Sequence, residues 1–111
     1  MLIPDDIKIY IATTPTDMRK SYDGLSGIIN NSFNQDVYQG ALYVFFNKRR
    51  DSIKILWYEK KASYAAFSIW MRRLDKGTFK AIGSRDDILC EATVAELALI
   101  VEDIKSGRCI K

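Results

Sequence analysis

Histidine is absent from the 111-residue sequence, which excludes histidine-based acid–base catalysis and the usual zinc sites. Only two cysteines occur, Cys90 and Cys109, and they do not form a CxxC pair. No apolar run approaches the roughly 18 to 20 residues that span a bilayer, and the first residues, MLIPDDIK, carry acids where a signal peptide carries cations. We therefore expect a cytoplasmic protein without membrane contact, in which both cysteines are free thiols.

Other catalytic patterns are also missing. The serines have no histidine to activate them, and no glycine-rich phosphate loop is present. The acids Asp17, Asp23, Asp51 and Glu59 lack the spacing of a metal site, and a cap, turn or surface role explains each of them. The sequence thus predicts no catalytic residue, no metal site and no cofactor, and we expect that the chain is not an enzyme.

Charge is unevenly distributed along the chain. The net charge is +3 overall, but the balance is −2 for residues 1–40, +7 for residues 41–80 and −2 for residues 81–111. A basic middle third of this kind steers polyanions. The alternative is that these cations form only the solvated face of a sheet.

The central stretch, residues 40–57, predicts a buried β-hairpin. Residues 42–46 are an apolar run rich in aromatic and β-branched residues, and residues 52–58 alternate Ile53, Ile55 and Trp57 with Lys54 and Leu56. Between them, NKRRD is typical of a tight turn. The turn places three cations at the hairpin tip, and we expect that replacing Arg49 and Arg50 by Ala would cost little stability. These cations are Lys48, Arg49 and Arg50.

A strand and then a helix are predicted before this hairpin. Residues 7–12, IKIYIA, alternate as a half-buried strand does, and Pro15 ends it. Thr16 or Asp17 can cap the helix that follows, in which Gly24 and Gly27 are weak points or places of close packing. Its apolar residues recur every three to four positions: Met18, Tyr22, Leu25, Ile28 or Ile29, and Phe33.

The segments after the hairpin complete the predicted fold. Residues 64–74 fit either a strand or a helix, and we favour a strand; Lys76 and Gly77 predict a turn into a short edge strand through Phe79. Residues 93–105 predict a helix that begins with a capping box of Thr93 and Glu96. The resulting order, β-α-β-β-β(-β)-α, is that of a single α+β domain over residues 1–111, with a small, mainly antiparallel sheet and two helices.

Aromatic residues are interleaved with the basic series. Cations beside flat rings are what phosphate neutralisation and base stacking require, so we predict nucleic-acid binding. Alternatively the aromatic residues belong to the core, and for Trp57 and Trp70 we favour the core. The candidate binding residues are Lys48, Arg49, Arg50, Lys54, Lys60, Lys61, Arg72 and Arg73.

Three blocks of the sequence, IYIATTPTDMRKSYDGLSGII, GALYVFFNKRRDSIKILWYE and RRLDKGTF, resemble the TnpB-type accessory proteins of the insertion sequence sixty-six family. The resemblance covers about residues 7–80, and the predicted C-terminal helix lies beyond it. It implies a non-catalytic protein that assists transposition beside a separate transposase. From the basic residues we predict DNA as its direct partner, and the alternative is a protein-interaction module that binds the transposase without contacting DNA. It leaves the oligomeric state open.

Particular residues carry this resemblance. In this sequence, Lys60, Lys61 and Ala62 replace a glycine-bearing turn that the family usually has. A structural role also explains part of the first block, since Asp17 can cap the helix and Arg19 can pair with a nearby acid such as Asp23. The motif positions are Thr16, Asp17, Met18, Arg19, Lys20, Asp23, Gly24 and Trp57.

Overall fold

A computed structural model of the chain describes residues 6–80, 87–102 and 104–105. Its α-helices are α1 (Tyr22–Gly27) and α2 (Val94–Glu102), and its strands are β1 (Ile9–Ala12), β2 (Leu42–Phe46), β3 (Ser52–Lys60), β4 (Ala65–Arg73), β5 (Thr78–Phe79), β6 (Leu89–Ala92) and β7 (Ile104–Lys105). Five strands form one sheet in the order β4-β3-β2-β1-β6, and β5 pairs with β7. Only the β1–β2 pair is parallel among the pairs of the described residues. The predicted α+β class with a mainly antiparallel sheet is confirmed.

The central hairpin is also confirmed. β2 pairs with β3 in a register that places Phe46 opposite Ile53 and Tyr43 opposite Leu56. Every residue of β2 is buried, as the first five residues of β3 are. A strand can be apolar at every position only where both faces of the sheet are covered.

Each face of the sheet has its own apolar cluster. On one face, Val44 and Ile55 pack with Leu97 and Ile100 of α2. On the other face, Tyr43, Phe45 and Leu56 pack with Leu25 of α1 and with Ile29. We call these the α2 face and the α1 face. In β1, Ile9, Ile11 and Ala12 are buried and Tyr10 is partly buried, so this strand is more buried than the half-buried strand that the sequence predicted.

The first helix starts later than predicted. It begins at Tyr22 after Ser21, whose side chain makes no capping hydrogen bond, and it continues as a π-helical turn over Ile28–Ser32. The expectation that Thr16 or Asp17 caps it is wrong. The reason is a tertiary contact: the Thr16 amide donates to the Phe46 carbonyl at 2.8 Å and holds this segment against the hairpin.

The ambiguous segment forms the long edge strand β4, which confirms the strand interpretation. It pairs with β3 without interruption from Ser52 opposite Arg73 to Lys60 opposite Ala65. The opposite edge is β6, which pairs antiparallel with β1 and was not predicted. Its four residues, LCEA, are too few to show a periodicity.

The C-terminal helix has the predicted capping box. The Thr93 amide donates to Glu96 Oε1 at 2.8 Å, and the Glu96 amide donates to Thr93 Oγ1 at 3.1 Å. The helix ends at Glu102 rather than near residue 105, because Ile104 and Lys105 pair with Phe79 and Thr78 in the small second sheet. The short strand through Phe79 therefore exists but does not join the main sheet.

Cys90 carries a free thiol, and Cys109 lies outside the described residues. Within the described part of the chain, no helix has the length and apolar character needed to cross a membrane.

Candidate nucleic-acid interface

A cleft of about 570 Å³ opens where residues 15–18 meet the hairpin tip, residues 47–51, and the end of β4. We call it the tip cleft. Its walls come from residues far apart in the chain. Residues 15–18 belong to the first of the three blocks that carry the family resemblance, residues 47–52 to the second, and Arg73 to the third. Its lining consists of Pro15, Thr16, Asp17, Met18, Asn47, Lys48, Arg49, Asp51, Ser52, Met71 and Arg73.

Asn47 organises the hairpin tip. Its Oδ1 accepts hydrogen bonds from the amides of Asp51 at 3.1 Å and Ser52 at 3.0 Å, and its Nδ2 donates to Asp51 Oδ1 at 2.6 Å. The Asn47 carbonyl also accepts from the Arg50 amide at 3.1 Å. A turn tied together in this way presents Lys48 and Arg49 from a fixed backbone.

Arg50 does not project into solvent as the sequence predicted for all three tip cations. Its guanidinium carbon lies 4.0 Å from the centre of the Phe46 ring. Its Nε and Nη2 donate to the carbonyls of Phe79 at 3.3 Å and Lys80 at 3.0 Å, and its own carbonyl accepts from the Phe79 amide at 2.7 Å. These contacts join the hairpin to β5, so we assign Arg50 a structural role.

Asp17 and Arg19 form an ion pair at the rim of the cleft. Arg19 donates from Nη2 to Asp17 Oδ2 at 2.7 Å and from its amide to Oδ1 at 2.9 Å. These hydrogen bonds hold the pKa of the Asp17 carboxyl well below its usual range. The prediction that Arg19 pairs with a nearby acid is confirmed, but the acid is Asp17 and not Asp23, which lies in the first turn of α1.

Lys54 is a buried residue, only 9 % exposed, and it faces α1. Its Nζ donates to the Lys20 carbonyl at 2.7 Å. A Cβ at Gly24 would lie 3.2 Å from Lys20 Cβ, which is tighter than an ordinary contact, so Lys20 packs closely against the start of α1. Lys20, Gly24 and Lys54 thus dock the start of α1 on the sheet, and Lys54 is not available to a nucleic acid in this structure.

Arg72 and Arg73 point to opposite faces of the sheet, because successive side chains of a strand alternate. Arg73 lies opposite Ser52 and lines the tip cleft. The Arg72 guanidinium lies 4.9 Å from the Trp70 ring centre and donates to the Val101 carbonyl at 3.4 Å, on the α2 face. Only one of these two candidate residues therefore belongs to the cleft.

Lys60 and Lys61 lie at the other end of β3 from the tip. The length of this nine-residue strand separates them from Lys48 by about 27 Å, at roughly 3.3 Å per residue. Lys61 Nζ is 3.6 Å from Glu59 Oε2. The continuous basic surface expected from the sequence is therefore divided between two ends and two faces of the sheet. Trp57 and Trp70 are partly buried against the α2-face cluster, as the core interpretation predicted.

The tip cleft carries an excess of positive charge. Lys48, Arg49 and Arg73 line it, against Asp17 and Asp51, whose carboxylates bond to Arg19 and Asn47. Oxygen-rich anions such as phosphates suit such a lining. Sequence reasoning missed Ser52 and Met71 as lining residues, since only the pairing of β3 with β4 brings them there. No cluster of three metal-ligating side chains occurs among the described residues.

The family model described as IS66 Orf2 like protein matches residues 7–109, so the match extends past the three motif blocks and includes α2. The chain is 30 % identical over 53 residues to the uncharacterized protein y4jC of Sinorhizobium fredii (strain NBRC 101917 / NGR234), covering 48 % of this chain and 45 % of that protein. It is 27 % identical over 74 residues to the uncharacterized protein y4hO of the same organism, covering 67 % of this chain and 61 % of that protein. The chain thus spans less than two thirds of the length of either relative. No solved structure matches the chain.

Proposed function

Because the chain belongs to the IS66 Orf2-like family of insertion-sequence proteins, we propose that it assists transposition as a non-catalytic DNA-binding protein that holds the phosphate backbone in the tip cleft. The observation that carries this proposal is the convergence of Lys48, Arg49 and Arg73 on one open cleft. Phosphate contacts position a protein on nucleic acid without requiring base-specific contacts.

The geometry of the cleft supports a phosphate ligand. Lys48 and Arg49 extend from a turn whose backbone Asn47 fixes, so little order has to be gained on binding. Arg73 approaches from the neighbouring strand, which lets one backbone segment contact cations from two elements. Contact with three phosphates predicts a salt dependence with a slope of about −2.7 on a log–log plot, or about a 40-fold loss of affinity between ~50 and ~200 mM salt.

Fluorescence anisotropy with labelled DNA from the ends of the element tests this proposal over that salt range. The expected result is binding that weakens with the stated slope, and a flatter slope for the triple variant Lys48→Ala, Arg49→Ala, Arg73→Ala. A matched triple variant at Lys60, Lys61 and Arg72 controls for the loss of net charge. Absence of binding at the lowest salt concentration, or equal losses in both triple variants, would contradict a site in the tip cleft.

The non-catalytic part of the proposal has its own test. The carboxylate of Asp17 is engaged by Arg19 and that of Asp51 by the Asn47 amide, so neither acid of the cleft is disposed to hold a metal ion. Pure protein incubated with supercoiled element DNA and Mg²⁺ or Mn²⁺ should produce no nicks. Nicking that disappears on replacement of Asp17 or Asp51 by Asn would show that the protein is an enzyme.

A protein partner, the transposase of the same element, is the second candidate. It is favoured by two exposed apolar side chains, Ile88 at 50 % and Leu99 at 57 %, the second on the outer side of α2. Co-purification of the transposase in the presence of nuclease would support this function, and loss of the transposase on nuclease treatment would favour contact through DNA.

A further inference from the structure

The outer edge of β4 is long and unprotected. Its nine residues contain no proline, and its pairing with β3 runs without a bulge. Charge appears only at its last two residues, Arg72 and Arg73. Proteins usually protect sheet edges with short strands, prolines, bulges or charges. The other edge of this sheet, β6, is short at four residues, and no described strand pairs with the outer edge of β4.

Two backbone hydrogen bonds identify which residues face outward. The Lys61 amide donates to the Tyr64 carbonyl, and the Leu74 amide donates to the Asp51 carbonyl, both at 2.7 Å. In an antiparallel pair, backbone groups alternate between the two sides of each strand. The even-numbered residues from 64 to 74 therefore bond to β3. The outward backbone groups are those of Ala65, Phe67, Ile69, Met71 and Arg73.

We propose that β4 pairs antiparallel with β4 of a second copy of this chain, about a two-fold axis at Ile69. This register overlaps all nine residues and makes every outward-facing residue of one copy meet an outward-facing residue of the other. Phe67 then lies opposite Met71 of the other copy, and Ile69 lies opposite itself. The two five-stranded sheets become one of ten strands.

The charge pattern of β4 favours antiparallel pairing with β4 of a second copy. In the antiparallel register, Arg73 lies opposite Ala65 and Arg72 lies opposite Ala66, so each cation meets a small neutral residue. In a parallel arrangement, the arginines of the two copies would lie side by side and repel one another. Phe67 and Ile69 are only partly buried in the single chain, and Met71 is 47 % exposed, so pairing would cover apolar surface that remains accessible.

The pairing also limits the assembly to two chains. An isologous contact uses the same surface on both copies, so neither β4 edge is left for a third. The two-fold axis is perpendicular to the sheet, and each face of one copy continues into the same face of the other. Both tip clefts would then open on the same face of the ten-stranded sheet. The pairing itself does not depend on DNA binding.

Sedimentation equilibrium of the full chain without DNA tests the proposal, from micromolar to millimolar concentration. We expect a monomer–dimer equilibrium and no larger species. Ile69→Lys places two cations against each other at the axis and should weaken dimerisation by about a hundredfold or more. Leu99→Lys, at an exposed position on α2, is the matched control and should leave the dimer unchanged. A wild-type chain that stays monomeric, or an oligomer larger than two, would overturn the proposal.

A second set of variants avoids the partly buried Ile69. Ala65 is exposed and lies opposite Arg73 of the other copy in the proposed register. Ala65→Arg should weaken the dimer about fivefold, since the like-charge pair occurs twice, and Ala65→Glu should strengthen it by a similar factor. Adding Arg73→Glu to Ala65→Arg should restore dimerisation. Equal effects of the Arg and Glu substitutions, or no restoration in the double variant, would show that β4 pairs in another register or not at all.

Discussion

The guanidinium of Arg50 lies 4.0 Å from the ring centre of Phe46, although Arg50 is one of three consecutive cations in a surface turn. The backbone of Arg50 is left-handed, with φ at 59°, and this turns its side chain away from Lys48 and Arg49 and toward β5. One turn thus holds two kinds of cation. Lys48 and Arg49 line the tip cleft, and Arg50 joins the hairpin to the strand that follows β4.

We therefore expect Arg50→Ala to lower the free energy of unfolding by about 2 kcal/mol, because it removes hydrogen bonds to two carbonyls and a contact with the Phe46 ring. Arg49→Ala is the matched control and should change stability by less than about 0.5 kcal/mol. Urea denaturation of both variants measures the difference. Equal stability of the two variants would mean that the Arg50 contacts contribute nothing.

DNA binding should distinguish the adjacent residues Arg72 and Arg73. Arg73→Ala removes a cation that lines the tip cleft and should lower affinity for element-end DNA and reduce the salt slope by about 0.9. Arg72→Ala removes a cation on the other face and should leave the slope unchanged. Anisotropy titrations at several salt concentrations measure both slopes. A smaller salt slope for Arg72→Ala would show that DNA binds on the α2 face.

Lys54 should matter for stability and not for DNA. In Lys54→Met the side chain keeps a similar length and loses its hydrogen bond to the Lys20 carbonyl. The unfolding free energy should fall by about 1 to 3 kcal/mol, because the part-buried hydrogen bond between the Lys54 ammonium and the Lys20 carbonyl is lost. Chemical denaturation measures this cost, and a DNA titration performed where the variant is fully folded should give the wild-type affinity. A folded variant with weakened DNA binding would show that Lys54 contributes to the interface.

Stability should also depend on Tyr43 at high pH. Burial, with smaller effects of Tyr10 and Asp36, raises the pKa of Tyr43 from 10.0 to about 12. Between these two values the unfolded chain has lost the phenolic proton that the folded chain retains, so this group lowers stability as the pH rises through that window, by roughly 3 kcal/mol in all. Tyr43→Phe should remove this component. Denaturation of both proteins at a series of pH values checks it, and parallel stability curves would contradict it.

The sequence by itself determined the elements whose signals are local. The hairpin follows from two runs of strand-forming residues around NKRRD, and the capping box of Thr93 and Glu96 forms within one helical turn. The strand at β4 could also be favoured, because Phe67, Ile69 and Met71 alternate along it. Such signals need only neighbours in the chain, and they were sufficient for the α+β class.

Only the tertiary structure decided which cations are accessible. Alternation shows that Arg72 and Arg73 point to opposite faces, but it does not show that α2 covers one face and that α1 approaches the other closely enough to bury Lys54. The late start of α1 has the same origin, since the Thr16 amide bonds to a carbonyl 30 positions away. Whether a charged side chain meets water or a backbone carbonyl depends on what packs over its strand, and that partner lies far away in the sequence.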